Sequence, residues 1–140
     1  MINLALWHDI MASRDPNRIG EIIADDCVFL SPVVFTPQEG KEITKLYLGA
    51  AGATFSEGGD NASAGSLKES KFRYTKEVAQ GNHTILEFET EIDGKYINGV
   101  DIITWNDEGK ISEFKVMVRP LQAVNMLHAK MKAMLEKMAG

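Results

Sequence analysis

The sequence predicts an α+β fold: a strongly curved, cone-shaped antiparallel sheet wrapped around N-terminal helices, with a further helix at the C-terminal end. Three observations predict it. Apolar residues recur at helical spacing in the first half, at period two from Lys71 onward, and at helical spacing again from Leu121. Helices followed by a run of strands pack on one face of an antiparallel sheet. A long twisted meander curls, and helices lying in its concavity leave a cone-shaped pocket.

Leu4, Trp7, Ile10 and Met11 give a helix from about Asn3 to Ser13. Asp15-Pro16 reads as an N-cap with Pro at the first helical position. The second short helix carries Ile19, Ile22 and Ile23 on its apolar face and ends at Asp25-Asp26. Cys27 to Leu30 is a short strand stopped by Ser31-Pro32, because Pro cannot donate to a ladder. Val33 to Gly40 is a loop, and Glu42 to Leu48 a third helix with Ile43, Leu46 and Tyr47 on one side. Gly49 to Ser70, rich in Gly, Ala, Ser and Thr, reads as a flexible connector rather than a lid, its start extending the third helix. Four strands follow. Phe72, Tyr74 and Lys76 alternate with Arg73 and Thr75; Gly81-Asn82 turns; Leu86, Phe88, Thr90 and Ile92 alternate with Glu87, Glu89 and Glu91. Asp93-Gly94 is a two-residue hairpin signal. Tyr96 to Trp105 and Ile111 to Arg119 are the last strands, separated by Asn106-Asp107-Glu108-Gly109. Leu121, Val124, Leu127, Met131, Met134 and Met138 form the final helical stripe.

The 140 residues are the length of one domain, 1–140, and bury enough surface to fold without disulfides or metal. A net charge of −5 with no basic cluster argues against nucleic acid. Lys130, Lys132 and Lys137 share their helix with Glu136 and read as a solvated face. Cys27 lies in an apolar run and reads as a small buried hydrophobe. No signal peptide and no membrane-length apolar run is visible, so a cytoplasmic protein with no membrane partner is expected. His8, His83 and His128 have no metal-ligand spacing. Gly40-Lys41 lacks the rest of a phosphate loop, so neither a metal nor a cofactor is expected.

The order of elements, together with Ala24-Asp25-Asp26 before Ser31-Pro32 and Gly99-Val100-Asp101-Ile102-Ile103 before Asp107-Glu108-Gly109-Lys110-Ile111, resembles the nuclear transport factor 2-like superfamily. The nearer likeness is to its SnoaL-like and ketosteroid isomerase-like branches. Ketosteroid isomerases use an Asp base with a Tyr and a protonated Asp that hydrogen-bond the enolate oxygen. The resemblance puts the protonated Asp at Asp101, the base at Ser31 and the Tyr at Trp7. Ser31 cannot act as a carboxylate base, and an indole N–H is a donor without a comparably acidic proton. The family reaction is therefore not expected to run by the family mechanism.

If Asp93-Gly94 is a two-residue turn, Leu86 pairs with Asp101. Leu86, Phe88 and Thr90 then share a sheet face with Asp101, Ile103 and Trp105, and the family pattern adds Phe114, Val116 and Val118. The expected ligand-binding residues are Trp7, Ser31, Tyr47, Leu86, Phe88, Ile103, Trp105, Phe114, Val116 and Val118. A carboxyl in such surroundings is desolvated, its pKa rises, and it donates to a ligand oxygen; otherwise a neighbour such as His8, or water, satisfies it. His8, if it faces the pocket beside Leu4 and Met11, is the replacement base; otherwise it is simply packed.

The opposite face holds Glu87, Glu89, Glu91, Val100, Ile102, Thr104, Lys115, Met117 and Arg119. It is expected to form a homodimer, with Glu87 or Glu89 near Lys115 or Arg119 of the second copy. The alternative is cross-strand pairing on an exposed sheet. The functional expectation is a pocket protein for a small, mostly apolar ligand with a carbonyl or hydroxyl. Its alternative is an isomerase, cyclase or hydratase-like enzyme using Asp101 as acid or oxyanion donor.

Overall fold

The computed structural model describes residues 1–57 and 71–139. The order is α1 (Leu4–Ser13), a 3-10 helix (Pro16–Glu21), β1 (Ile23–Leu30), β2 (Gln38–Glu39), α2 (Lys41–Glu57), β3 (Arg73–Gln80), β4 (His83–Ile92), β5 (Lys95–Trp105), β6 (Ile111–Arg119) and α3 (Leu121–Ala139). The six strands form one sheet in the order β2-β1-β6-β5-β4-β3. The α+β class and the terminal helix are as the sequence predicts. The sheet, however, is mixed: β3 to β6 are antiparallel neighbours, while β1 runs parallel to β6. No local pattern marks that pairing, because its two strands are far apart in the chain. Among the described residues no helix is long and apolar enough to cross a membrane.

The Asp15 side chain accepts from Asn17 N–H at 2.9 Å, which caps the Pro-initiated turn as expected. That helix is shorter than expected, however. Ile23 opens β1, and Asp25-Asp26 lie exposed within the strand rather than ending a helix. The register between Ile23 and Val28 is interrupted, so these two carboxylates sit where pairing is irregular. α2 runs to Glu57, absorbing the start of the expected connector. Its remainder, 58–70, lies outside the described residues. Of the terminal stripe, Leu127 and Met131 are buried with Ala123, whereas Leu121 is exposed; the side chains of Met134 and Met138 lie outside the description.

Asp93 (φ 53°) and Gly94 (φ 78°) are both left-handed, the pair of conformations a type I′ turn requires. This turn sets the register Ile92↔Lys95 through Leu86↔Asp101 to His83↔Thr104. Pairing irregularities interrupt β3 at Tyr74/Lys76 and the β5–β6 pair at Thr104/Trp105. Such bulges bend a strand and increase its twist. α1, α2 and α3 lie against the concave face, and the core between them and the sheet includes Trp7, Ile10, Phe29, Phe88, Phe114 and Leu127. Each such fully buried side chain contributes roughly 1.5–3 kcal/mol.

Candidate functional site

Between the helices and the inner sheet face lies a cavity of about 600 Å³. α1 supplies Trp7, His8, Ile10 and Met11; α2 supplies Leu48; α3 supplies Leu127 and Met131; the sheet supplies Phe29, Tyr74, Phe88, Asp101, Phe114 and Val116. The wall is largely apolar and aromatic. The Trp7 and Phe114 rings lie 5.2 Å apart, and Phe72 stacks on Phe88 at 5.0 Å.

Its principal buried polar group is Asp101, 6% exposed. The Tyr74 hydroxyl donates to Asp101 Oδ2 at 3.0 Å, and Trp7 Nε1–H donates to the Tyr74 oxygen at 3.3 Å. Three side chains from α1, β3 and β5 thus form a directed chain that ends on the carboxyl. Burial pushes the Asp101 pKa up to about 7, against the lowering effect of the Tyr74 bond. Burial, followed by the neighbouring Asp101 charge, pushes the Tyr74 phenol well above its ordinary value. Near neutral pH, Asp101 therefore exists in both forms. Protonated, it can donate to a ligand oxygen; ionised, it can only accept.

The neighbour that satisfies Asp101 is Tyr74 rather than His8. The His8 ring meets Tyr74 edge-on at 5.8 Å, and its Nε2 lies 2.8 Å from Glu77 Oε1. A carboxylate oxygen only accepts, so in this pair His8 Nε2–H is the donor. Tyr74 and Glu77 are three residues apart on one strand, which would normally put them on opposite faces. The bulge resets the parity: Glu77 pairs with Leu86 and Tyr74 with Phe88, both inner-face residues.

Of the residues expected at the pocket, Trp7, His8, Phe88, Asp101, Phe114 and Val116 meet around this cavity. Others are placed elsewhere. Leu86, Ile103 and Trp105 are buried in the core, with Trp105 Nε1–H donating to Thr84 Oγ1 at 3.0 Å. Val118 packs half-buried against the core. The Ser31 hydroxyl accepts from Val33 N–H, and its neighbour Pro32 is the one on the cavity wall. Tyr47 stacks on Phe29 at 5.4 Å and faces a second, smaller cavity. Tyr74 was not expected, because the bulge that turns it inward leaves no mark in the alternation; Glu77 was not expected either, although uninterrupted pairing back from the Gly81-Asn82 turn sets it opposite inner-face Leu86. Among the described residues no three His, Cys, Asp or Glu side chains are grouped to hold a metal ion. Cys27 is buried, with its thiol pushed up to about 11 by burial, consistent with a packed side chain.

A steroid delta-isomerase from Pseudomonas aeruginosa superimposes with a TM-score of 0.83 at 28% identity, covering 97% of this chain and 90% of that one. The chain has a nuclear transport factor 2-like fold. An uncharacterised cystatin-like-fold protein from Silicibacter pomeroyi matches at a TM-score of 0.77 and 29% identity, over 93% of this chain and 82% of the other. A nuclear transport factor 2-like protein of unknown function from Mesorhizobium loti matches at 0.63 and 18%, over 84% and 88%. No family model matches the sequence, and no curated protein does.

Proposed function

We propose that this nuclear transport factor 2-like chain binds a small, mostly apolar ligand whose carbonyl oxygen, or hydroxyl, meets Asp101. The observation that carries this reading is the Tyr74–Asp101 pair set in the wall of an apolar cavity of about 600 Å³. That volume lies within the range of small-molecule sites, which combine apolar walls with a few placed polar groups. A protonated Asp101 donates to a ligand carbonyl from one oxygen while the other accepts from Tyr74. The likeness to a steroid delta-isomerase supports an apolar carbonyl compound as the ligand class. Ser31 supplies no carboxylate where the resemblance puts the family base, so binding is favoured over ketosteroid isomerisation.

The test begins with extraction of the purified protein and mass spectrometry of what it carries. Titration with a cyclic ketone then follows Trp7 fluorescence. Affinity should fall as pH rises through about 7, where Asp101 loses its proton. Asp101→Asn keeps an N–H donor and should remove this pH dependence. Asp101→Leu should weaken binding about tenfold, the worth of one hydrogen bond. PH-independent binding by the native chain would overturn the carbonyl role of Asp101.

A second reading, an isomerase, cyclase or hydratase-like enzyme, is favoured by the His8–Glu77 pair. His8 would take a proton from the carbon beside the ligand carbonyl, Asp101 would hydrogen-bond the enolate oxygen, and the half-exposed imidazole, its proton exchanging with solvent, would return a proton to carbon. NMR of a bound ketone in D₂O checks it: the native chain should exchange the α-protons and His8→Gln should not.

We also propose a homodimer through the outer sheet face. Val78, Ile85 and Met117 are 57%, 40% and 52% exposed there, with Val100 and Ile102 beside them. Apolar area of this kind usually marks a contact. The charges do not wait for a second copy. Glu87 pairs with Lys76 and Asn98, Glu89 with Arg73 and Tyr96, and Arg119 with Asn98, all within one chain. The apolar residues would therefore drive association. Sedimentation at tens of micromolar should show a dimer that Met117→Glu dissociates; a monomeric native chain would refute it.

A further inference from the structure

A second cavity, of about 230 Å³, is lined by residues of the loop after β1, α2 and α3. It adjoins the first along every element the two share. Pro32 borders the larger cavity and Val33 the smaller; Leu48 the larger and Tyr47 the smaller; Leu127 the larger and His128 the smaller. One residue, Met131, borders both. Helix geometry accounts for this. At about 100° per residue, Met131 lies roughly 40° around α3 from Leu127, and Leu135 of the smaller cavity roughly 40° further on. Met131 thus stands on the dividing line and is 4% exposed. It has an unbranched, polarizable side chain that adapts to irregular gaps. The smaller volume falls below the usual size of an independent ligand site, whereas the larger falls within it.

We propose that the two cavities are compartments of one site, divided by the Met131 side chain, and that the ligand is elongated. Its oxygen sits at Asp101 and its far end passes Met131 to lie among Val33, Val34, Tyr47 and Leu135. His128, Lys132 and Glu136 line the same compartment and are exposed, so a polar far end would reach water there. Met131 then sets the length of ligand accepted. This rests on the binding reading above and adds the shape of the molecule.

The experiment is a titration of the full chain with straight-chain methyl ketones of increasing length. Burial of each methylene should tighten binding about fourfold until the accessible volume is filled. The readout is the chain length at which the gain stops. In Leu135→Trp, which fills the smaller compartment from its own side, the series should level off at shorter chains than in the native protein. In Met131→Ala, which removes the divider, only the longer ketones should gain further affinity. The same levelling length in all three proteins would overturn the two-compartment site and leave the binding reading standing. No binding of any ketone by the native chain would overturn both. If Leu135→Trp fails to fold, Met131→Ala against native decides alone.

Discussion

Each face of the sheet carries a tyrosine hydrogen-bonded to a carboxylate at nearly the same distance. Inside, Tyr74 donates to Asp101 at 3.0 Å; outside, Tyr96 donates to Glu89 at 2.9 Å. The two carboxyls nevertheless move in opposite directions. Asp101 rises to about 7, whereas Glu89 falls below its ordinary value, chiefly through the bond from Arg73 and then that from Tyr96. The hydrogen bond itself lowers the pKa in both places. What differs is the rest of the shell. Asp101 has lost its water and gained no cation among the described residues, while Glu89 keeps solvent and gains a guanidinium. The comparison shows that desolvation, not the tyrosine, sets the inner carboxyl near neutrality.

The largest expected effect removes the inner charge. Asp101 holds its proton up to about pH 7 in the folded chain, and only to about pH 4 when unfolded. Between those values folding takes up a proton, so stability falls as pH rises. Asp101→Asn abolishes that dependence. Relative to the native chain it should gain roughly 3 kcal/mol between pH 4 and pH 8, measured by denaturant melts at several pH values. Parallel curves would mean that Asp101 is better solvated than its burial implies. Next comes Gly99, which pairs with Phe88. A Cβ there would meet the Phe88 ring at 2.5 Å and the Met117 carbonyl oxygen at 2.6 Å. Only glycine lets Phe88 lie across β5 and leave the cavity open. Gly99→Ala should cost about 2 kcal/mol through overpacking and weaken ketone binding as Phe88 shifts. Tyr74→Phe should cost about 1–2 kcal/mol, since it leaves two buried partners unmatched. It should also move the pH midpoint of binding upward, because the bond it removes lowers the Asp101 pKa.

Those residues differ in how far the sequence revealed them. Asp101 was legible because Asp93-Gly94 is a turn whose geometry fixes register, and register fixes which face a side chain takes. Phe88, Phe114 and Val116 followed from the same parity, the last two with help from the family pattern. Tyr74 was not legible. Counting back from the Gly81-Asn82 turn puts it opposite Glu89, on the outer face. The bulge between Tyr74 and Lys76 moves it opposite Phe88, and an extra residue in a strand leaves no periodic signature. β1 shows a related limit. Asp25-Asp26 read as the end of a helix because two exposed charges interrupt the apolar pattern, yet the strand runs through them at an irregular pairing. The partner strand β6 is parallel and distant in the chain, so neither register nor direction could be read locally. Leu86, Ile103 and Trp105 were assigned to the correct side of the sheet, but parity alone does not say where packing ends and open space begins.

The smallest expected effect lies on the outer face and sharpens the comparison from the other side. Glu89 is lowered in the folded chain, so it contributes stability at pH values above its ordinary range and loses it as pH falls through the folded value. Glu89→Gln should therefore be slightly less stable than native at pH 7 and equal to it at low pH, whereas Asp101→Asn departs from native in the opposite sense, gaining stability as pH rises. Exposed pairs contribute little, and about 1 M salt shrinks the screening length to roughly 3 Å. The small difference should accordingly vanish in high salt if the face stays in water. A homodimer changes that outcome in a defined way. Covering the face would desolvate Glu89 together with Arg73, so the cost of Glu89→Gln would grow with protein concentration and resist salt. Melts of native and Glu89→Gln protein at low and high concentration, each with and without salt, separate the two cases. A salt-sensitive, concentration-independent difference would place the outer carboxylates in solvent and remove the dimer from this face.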